Sequence, residues 1–169
     1  IVLKNLPTNQ ILKELEFMFS YKELQSFVKE LSEIYKSEGK ETFNKLIEKI
    51  KFQNTPEKSY IKGYIDLFFC HNEKYYILDW KSNYLGSSLE DYSQKNLEKV
   101  ICSSFYFLQY TIYTFGAVKF LKSRIKDFVP EKFGGIFYIF LRGINEGDDG
   151  GIHFDNFTTE SIGKMMKYV

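Results

Sequence analysis

The chain has 169 residues, of which 18% are aromatic, and this length predicts one domain with a substantial core. A formal net charge of +1 at pH 7 excludes a uniformly basic nucleic-acid coat, although lysines and acids can still segregate to different faces. The two cysteines, Cys70 and Cys102, exclude a disulfide framework, no apolar run reaches the ~18 residues of a membrane span, and no signal peptide is visible, so we expect a cytoplasmic protein without membrane contact.

The first predicted element is a β-strand over residues 11–19, where apolar side chains recur on alternate positions of its second half. Ser20 is a favourable N-cap, and the apolar stripe that follows predicts a helix over residues 21–36. Gly39 interrupts this pattern. A second helix is predicted over residues 41–52, because the following Asn-Thr-Pro sequence disfavours further helix.

Two runs of β-branched and aromatic residues, at 60–69 and 75–81, predict a β-hairpin with its turn at 70–74. A loop around Gly86 leads into helical sequence over residues 89–126, with a break expected near the paired serines at 103 and 104. The hairpin and the helical sequence are thus neighbours along the chain.

The apolar run at 136–141, introduced by two glycines, predicts a buried central strand. A glycine- and aspartate-rich loop follows at 143–151, and a short strand and a last helix over 159–168 complete the chain. Strands and helices therefore alternate, which indicates an α/β or mixed fold around one sheet.

Two aspartates interrupt the apolar runs of the predicted hairpin, Asp66 in its first strand and Asp79 in its second. A carboxylate in such surroundings is costly unless it is paired or binds a cation. Lys81 lies two residues after Asp79, so the two side chains are expected on one face of the strand. Two acids beside a lysine are typical of a site for a hard cation such as Mg²⁺ and a phosphate group.

Four sequence blocks occur in a recognisable order, at 63–67, 75–86, 108–114 and 133–143. Together they resemble the RecB-type nuclease domain, the C-terminal region of exodeoxyribonuclease V beta subunits, in the PD-(D/E)XK nuclease superfamily. The resemblance implies a restriction-endonuclease-like α/β fold, with a central mixed β-sheet of about 4–5 strands flanked by helices. It also implies that residues 1–169 form one nuclease domain cut from the C-terminal part of a larger helicase–nuclease subunit.

The resemblance assigns metal binding to Asp66, Asp79 and the backbone carbonyl of Trp80, with Mg²⁺ as the natural ion and Mn²⁺ or Ca²⁺ as substitutes. Lys81 would position the attacking water or neutralise charge on the phosphate. Gln109 and Tyr113 match the Gln-x-x-x-Tyr motif of the family, and a spacing of four places them on one helix face.

The family also carries an upstream glutamate, for which its Glu-x-x-Phe pattern favours Glu14. Strand alternation places Glu14 and Glu16 on one face, so both candidates stay open. A further metal-ligating histidine of the family has no counterpart before Glu14, and a fragment without it would be weakly active or inactive. Neither His71 nor His153 shows a metal partner in the sequence, and two cysteines cannot hold an iron–sulfur cluster.

The first hypothesis is a Mg²⁺-dependent bacterial exodeoxyribonuclease that acts in double-strand break repair and recombination. Its partners would be DNA, the helicase part of the same polypeptide, and RecC-like and RecD-like subunits. The alternative is a catalytically inactive nuclease-like module that positions DNA or contacts subunits. A restriction enzyme or junction resolvase would need sequence-reading or dimer-forming elements, which we do not identify. Lys62, Tyr92 and Arg142 are weaker candidates for contacts to the DNA backbone.

Overall fold

The computed structural model describes residues 1–47, 60–145, 147 and 149–169. These residues form a five-stranded mixed sheet in the order β1-β2-β3-β4-β5. The first three strands form an antiparallel meander, β4 runs parallel to β3, and β5 runs antiparallel to β4. The strands are β1 (Ile11–Ser20), β2 (Tyr60–His71), β3 (Lys74–Lys81), β4 (Phe133–Phe140) and β5 (Ile152–Asp155).

Within the described ranges, five α-helices accompany the sheet, which confirms the predicted α/β class with a central mixed sheet. They are α1 (Tyr21–Ser37), α2 (Glu41–Ile47), α3 (Gln94–Ser103), α4 (Tyr106–Arg124) and α5 (Thr159–Met165). All five contribute side chains to the larger of two apolar clusters. Among the described helices, none is long and apolar enough to cross a membrane.

The two apolar clusters lie on opposite faces of the sheet. The larger cluster includes Ile77 of β3 together with the helices, whereas the neighbouring residue Leu78 belongs to the smaller cluster. The smaller cluster is covered in part by Leu3 and Leu6 of the N-terminal segment. Every second residue of β3, counted from Ile77, therefore faces the helices, whereas Leu78 faces away from them. The helix-covered face carries the candidate site.

The hairpin turn is shorter than the sequence predicts. β2 continues to His71 and β3 begins at Lys74, so Asn72 and Glu73 alone form the turn. Both have positive φ, at 49° and 60°, as a two-residue type I′ turn requires. The sequence contains no Asn-Gly signal there, which explains why the turn was expected to be longer.

Other boundaries differ from expectation for local reasons. The helical sequence after residue 89 begins with a 3₁₀ turn, Leu89–Tyr92, and the expected break lies at Ser104 and Phe105, where Phe105 adopts a left-handed backbone. Strand β4 begins at Phe133, and the glycine pair lies within it, where the β3–β4 register shifts. Helix α2 is described to Ile47, and the remainder of the helix predicted to residue 52 lies outside the described residues.

Helix α4 approaches the sheet closely at Gly116. A Cβ atom at this position would lie 2.8 Å from Cγ of Phe17 on β1, which is closer than van der Waals contact allows. Glycine therefore permits the helix to rest directly on the aromatic ring. This contact sets the height of α4 above the strands, and α4 carries two of the predicted site residues.

Candidate active site

The centre of the candidate site is a buried ion pair at the C-terminal end of β3. The side chains of Asp79 and Lys81 point to the helix face, and their residues are 4% and 8% exposed. Lys81 Nζ lies 2.5 Å from Asp79 Oδ2. The expected shared face is therefore present, because side chains two residues apart in a strand point the same way.

Gln109 of α4 connects the ion pair to the helix layer. Its Oε1 accepts hydrogen bonds from Lys81 Nζ and from the Tyr138 hydroxyl, each at 2.8 Å. Its Nε2 donates to the Tyr113 hydroxyl at 2.9 Å. Both ends of the amide are engaged, so the orientation of Gln109 is defined by its partners.

Two tyrosine rings enclose the Lys81 ammonium. Its nitrogen lies 4.2 Å from the ring centroid of Tyr106 and 4.5 Å from that of Tyr138. The ring faces attract the cation in a site with little water. Neither tyrosine stands out in the sequence as a site residue, although Tyr106 precedes Gln109 by three residues on one helix. Tyr138 is paired in register with Asp79, which only the alignment of β4 with β3 reveals.

Asp66 lies beside this cluster on β2. Its Oδ2 accepts a hydrogen bond from the Trp80 backbone N–H at 2.9 Å. The β2–β3 pairing ends, on the side away from the turn, with Leu67 opposite Leu78. Asp66 and Asp79 are the next residues on the two strands, so they lie at the same end of the hairpin. Trp80 itself directs its half-exposed ring toward the smaller apolar cluster on the other face.

The electrostatics of the site reflect burial and a second acid. Burial raises the pKa of Asp79 above its usual range, Lys81 opposes this shift, and the nearby Asp66 carboxylate adds to it. Burial, and then the charge of Asp79, raises the pKa of Tyr113 to about 12. The Tyr113 phenol therefore keeps its proton at neutral pH. The negative charge on the two aspartates is incompletely balanced by one lysine, which favours an additional cation.

The upstream glutamate occupies an unusual position. Glu14 lies between the β1–β2 pairs Lys13–Leu67 and Leu15–Ile65, at the level of Asp66, but the two acids are not themselves a ladder pair. The backbone of Glu14 is left-handed, with a φ of 51°. Ile11 packs against the smaller cluster and Leu15 against the larger one, although regular alternation would place residues four apart on the same face. Side-chain alternation is therefore interrupted between them. The alternation that left Glu14 and Glu16 equivalent in the sequence therefore does not hold at Glu14.

Glu16 has a different environment on the surface. Its carboxylate forms an ion pair with Lys62 at 2.9 Å, and both side chains are about half exposed. Lys62 also lies 5.1 Å from the ring centroid of Tyr64. Glu16 and Lys62 thus have each other as partners on the surface.

Two carboxylates fit the way Mg²⁺ is bound in many enzymes, where one or two acids act together with waters and substrate phosphates. Among the described residues, no group of three His, Cys, Asp or Glu side chains is arranged to hold a metal ion. Asp66 and Asp79, with the Trp80 carbonyl between Asp79 and Lys81, are thus the donor set that this part of the chain offers. Glu14 lies at the level of Asp66 in the sheet, but the two aspartates and Glu14 do not form a group of three acids that could hold a metal ion.

The remaining candidates lie elsewhere or have structural partners. Tyr92 is buried, and its hydroxyl accepts from the Leu85 N–H at 3.1 Å. His71 ends β2 at the hairpin turn, and His153 lies on the edge strand β5. Arg142 is exposed and its Nε donates to the Ser82 carbonyl at 3.3 Å, just beyond the end of β3.

Comparison with known proteins identifies relatives over most of the chain, although no family model matches it. It is 41% identical over 149 residues to the RecBCD enzyme subunit RecB of Buchnera aphidicola subsp. Schizaphis graminum, covering 88% of this chain and 12% of that protein. It is 43% identical to RecB of Haemophilus influenzae over 62% of this chain and 9% of that protein.

The RecB subunit of Escherichia coli K12 is 42% identical over 51% of this chain and 7% of its own length. The chain thus spans about one eighth or less of these relatives. The chain is a RecB-type domain.

Proposed function

We propose that this chain is the Mg²⁺-dependent nuclease domain of a RecBCD-type helicase–nuclease, and that it hydrolyses DNA phosphodiester bonds with a metal-activated water. The observation that carries this proposal is the buried Asp79–Lys81 pair with Asp66 beside it. A buried acid with a raised pKa next to a second acid is typical of a functional site rather than of an ordinary surface ion pair.

In this proposal Asp66, Asp79 and the Trp80 carbonyl hold the metal. Bound there, Mg²⁺ would lower the pKa of a water and neutralise phosphate charge. Lys81 contributes a second positive charge for the phosphate, and the two tyrosine rings with Gln109 hold its ammonium in place. Tyr113 keeps its proton and can donate a hydrogen bond to a phosphate oxygen.

The names of the relatives suggest the biological setting. They are described as RecB subunits of the RecBCD enzyme. We infer that a helicase part of the same polypeptide and RecC-like and RecD-like subunits deliver DNA to this domain during repair and recombination. Contacts mainly to the phosphate backbone would suit degradation that does not depend on sequence.

An inactive nuclease-like module is the second candidate. It is favoured by one observation, the lack of a third acid arranged with Asp66 and Asp79 among the described residues. A module of this kind would position DNA or contact subunits without cleaving. Retention of both aspartates and the buried lysine favours the active enzyme, because an unused buried charge pair is costly to keep.

Cleavage of linear DNA in Mg²⁺ tests the proposal. We expect degradation by the chain, or by a version extended upstream, and a loss of roughly 10²- to 10³-fold with Lys81→Ala. Lys62→Ala is the matched control, because it removes a surface lysine that is also paired with an acid. Thermal unfolding of each variant separates loss of chemistry from loss of fold. Equal cleavage by Lys81→Ala and the unchanged chain would reject the role of Lys81.

A further inference from the structure

An exposed aromatic–guanidinium pair lies next to the candidate active site. Tyr84 is 68% exposed, the highest value among the exposed large hydrophobic side chains of the described residues. The Arg142 guanidinium carbon lies 5.9 Å from the Tyr84 ring centroid. Several other tyrosines of this chain are fully buried, so a ring held at the surface is available for a ligand.

The backbone around Tyr84 is held in place. The Leu85 N–H donates to the hydroxyl of the buried Tyr92, and the same hydroxyl donates to the Asn83 carbonyl at 3.4 Å. Arg142 is fixed at its Nε by the Ser82 carbonyl. The residues on both sides of Tyr84 are therefore anchored before any ligand arrives, which lowers the entropy cost of binding.

The pair is also connected to the Lys81 site. Tyr106 donates its hydroxyl proton to Asn83 Oδ1 at 3.2 Å, and the same ring faces the Lys81 ammonium. Strands β3 and β4 are parallel, so the segments that carry Tyr84 and Arg142 leave the sheet at the same edge. Tyr84 is three positions after Lys81, which limits the distance between their Cα atoms to roughly 11 Å.

We propose that Tyr84 and Arg142 bind one unpaired nucleotide of a DNA strand whose neighbouring phosphate lies at Lys81. The Tyr84 ring stacks on the base, and Arg142 extends the stack or contacts the adjacent phosphate. A base inside a duplex has both faces covered, so this site selects single-stranded DNA. The proposal rests on the proposed nuclease function, because that function places a phosphate at Lys81.

Binding of a short fluorescent oligothymidylate, measured by anisotropy without divalent cations, tests this proposal independently of cleavage. Tyr84→Ala should weaken binding roughly 5- to 100-fold, while Tyr84→Trp should retain it, because the larger ring still stacks. Arg142→Ala should weaken binding and reduce its salt dependence, as expected for a lost phosphate contact. A blunt duplex of the same length should respond much less to Tyr84→Ala.

Two variants serve as matched controls. Phe154→Ala removes another exposed aromatic ring, on the edge strand β5, where it packs against Phe137 of the smaller cluster on the other sheet face, and Arg124→Ala removes an arginine that lies over Phe120 at the C-terminal end of α4. Both should bind the oligonucleotide as the unchanged chain does. The proposal is overturned if the unchanged chain does not bind oligothymidylate, if Tyr84→Ala binds as tightly, or if Tyr84→Trp loses as much as Tyr84→Ala. Oligothymidylate binding that is lost in Tyr84→Ala, combined with no cleavage by either the chain or the version extended upstream, would reject the nuclease function and keep the nucleotide-binding site.

Discussion

At the scale of single residues, the candidate site depends on how each polar atom is shared. Gln109 Oε1 accepts from both Lys81 and Tyr138, and Lys81 is also paired with Asp79. A lysine with this many partners has little freedom to move away from the acids. If a phosphate binds beside Lys81 as we propose, the ammonium is already in position for it, and this preorganisation would reduce the cost of reaching the transition state.

Glu14 and Glu16 form a natural pair of comparison variants. Glu14→Gln should weaken binding of Mn²⁺ or Ca²⁺ and slow cleavage by roughly tenfold, because it lies at the level of Asp66 and would support a metal or its waters. Glu16→Gln should change neither, since its carboxylate already pairs with Lys62 on the surface. Calorimetry gives the affinities. Equal effects of the two substitutions would contradict the assignment of Glu14.

At the scale of elements, the packing of α4 on β1 sets where Gln109 and Tyr113 lie. Their helix rests on Phe17 through Gly116, and a displacement of the helix would carry both side chains away from Lys81. The capping box at Ser20 and Glu23 fixes the start of α1 at the end of the same strand. Helix α1 thus supports the strand beside the site although it contributes none of the proposed site residues.

Gly116→Ala should lower the free energy of unfolding by about 1–3 kcal/mol, because the new Cβ would overlap the Phe17 ring. Gly163→Ala in α5 is the matched control, since its Cβ would approach nothing closer than 3.9 Å. That control should stabilise the protein by about 0.5–1 kcal/mol through helix propensity. Urea unfolding measures both. A neutral Gly116→Ala would show that α4 can shift without cost.

The stabilising contribution of the Glu23 carboxylate should be lost in acid. A hydrogen bond from Lys119, and then those from Ser20, lower its pKa to about 2 in the folded state. Because the folded pKa lies below the usual 4.5, the stabilisation is complete above pH 4.5 and is lost as the pH falls toward 2. Glu23→Gln should flatten this part of the stability–pH curve, and Lys119→Gln should do so in part. An unchanged curve in Glu23→Gln would refute this account.

At the scale of the whole molecule, the two faces of the sheet have different roles. The helix face holds the larger apolar cluster and the candidate site, whereas the other face holds a smaller cluster with an apolar cavity of about 570 Å³ beside Trp80. Binding at the candidate site would act on the whole domain, because its residues come from β2, β3, β4 and α4. A ligand that joins these elements stabilises the folded state by mass action.

Mn²⁺ or Ca²⁺ should therefore raise the unfolding temperature of the chain in a concentration-dependent way. Asp79→Ala should abolish this rise, because it removes one of the two proposed carboxylate ligands. Asp127→Ala, which removes an acid in the loop after α4, should leave it intact. A rise that persists in Asp79→Ala would place the ion elsewhere and would favour the inactive module.

Much of the architecture could be predicted from local patterns. Runs of β-branched and aromatic residues predicted the strands that carry Asp66 and Asp79, and the four-residue spacing predicted one helix face for Gln109 and Tyr113. These predictions depend on geometry within a single element, because the periodicity of a strand or helix decides which residues share a face. The helix and strand boundaries were less certain, because caps, 3₁₀ turns and the register shift at the glycine pair depend on neighbours in space.

By itself, the sequence determined the α/β class, the hairpin with its two aspartates, and the common face of Asp79 and Lys81. Only the tertiary structure decided that Tyr106 and Tyr138 enclose the Lys81 ammonium, that Glu14 lies at the level of Asp66 on a left-handed backbone, and that Tyr84 meets Arg142. The physical reason is the range of the interactions. Periodicity places side chains on a face, whereas strand register and helix packing select which distant residues meet there.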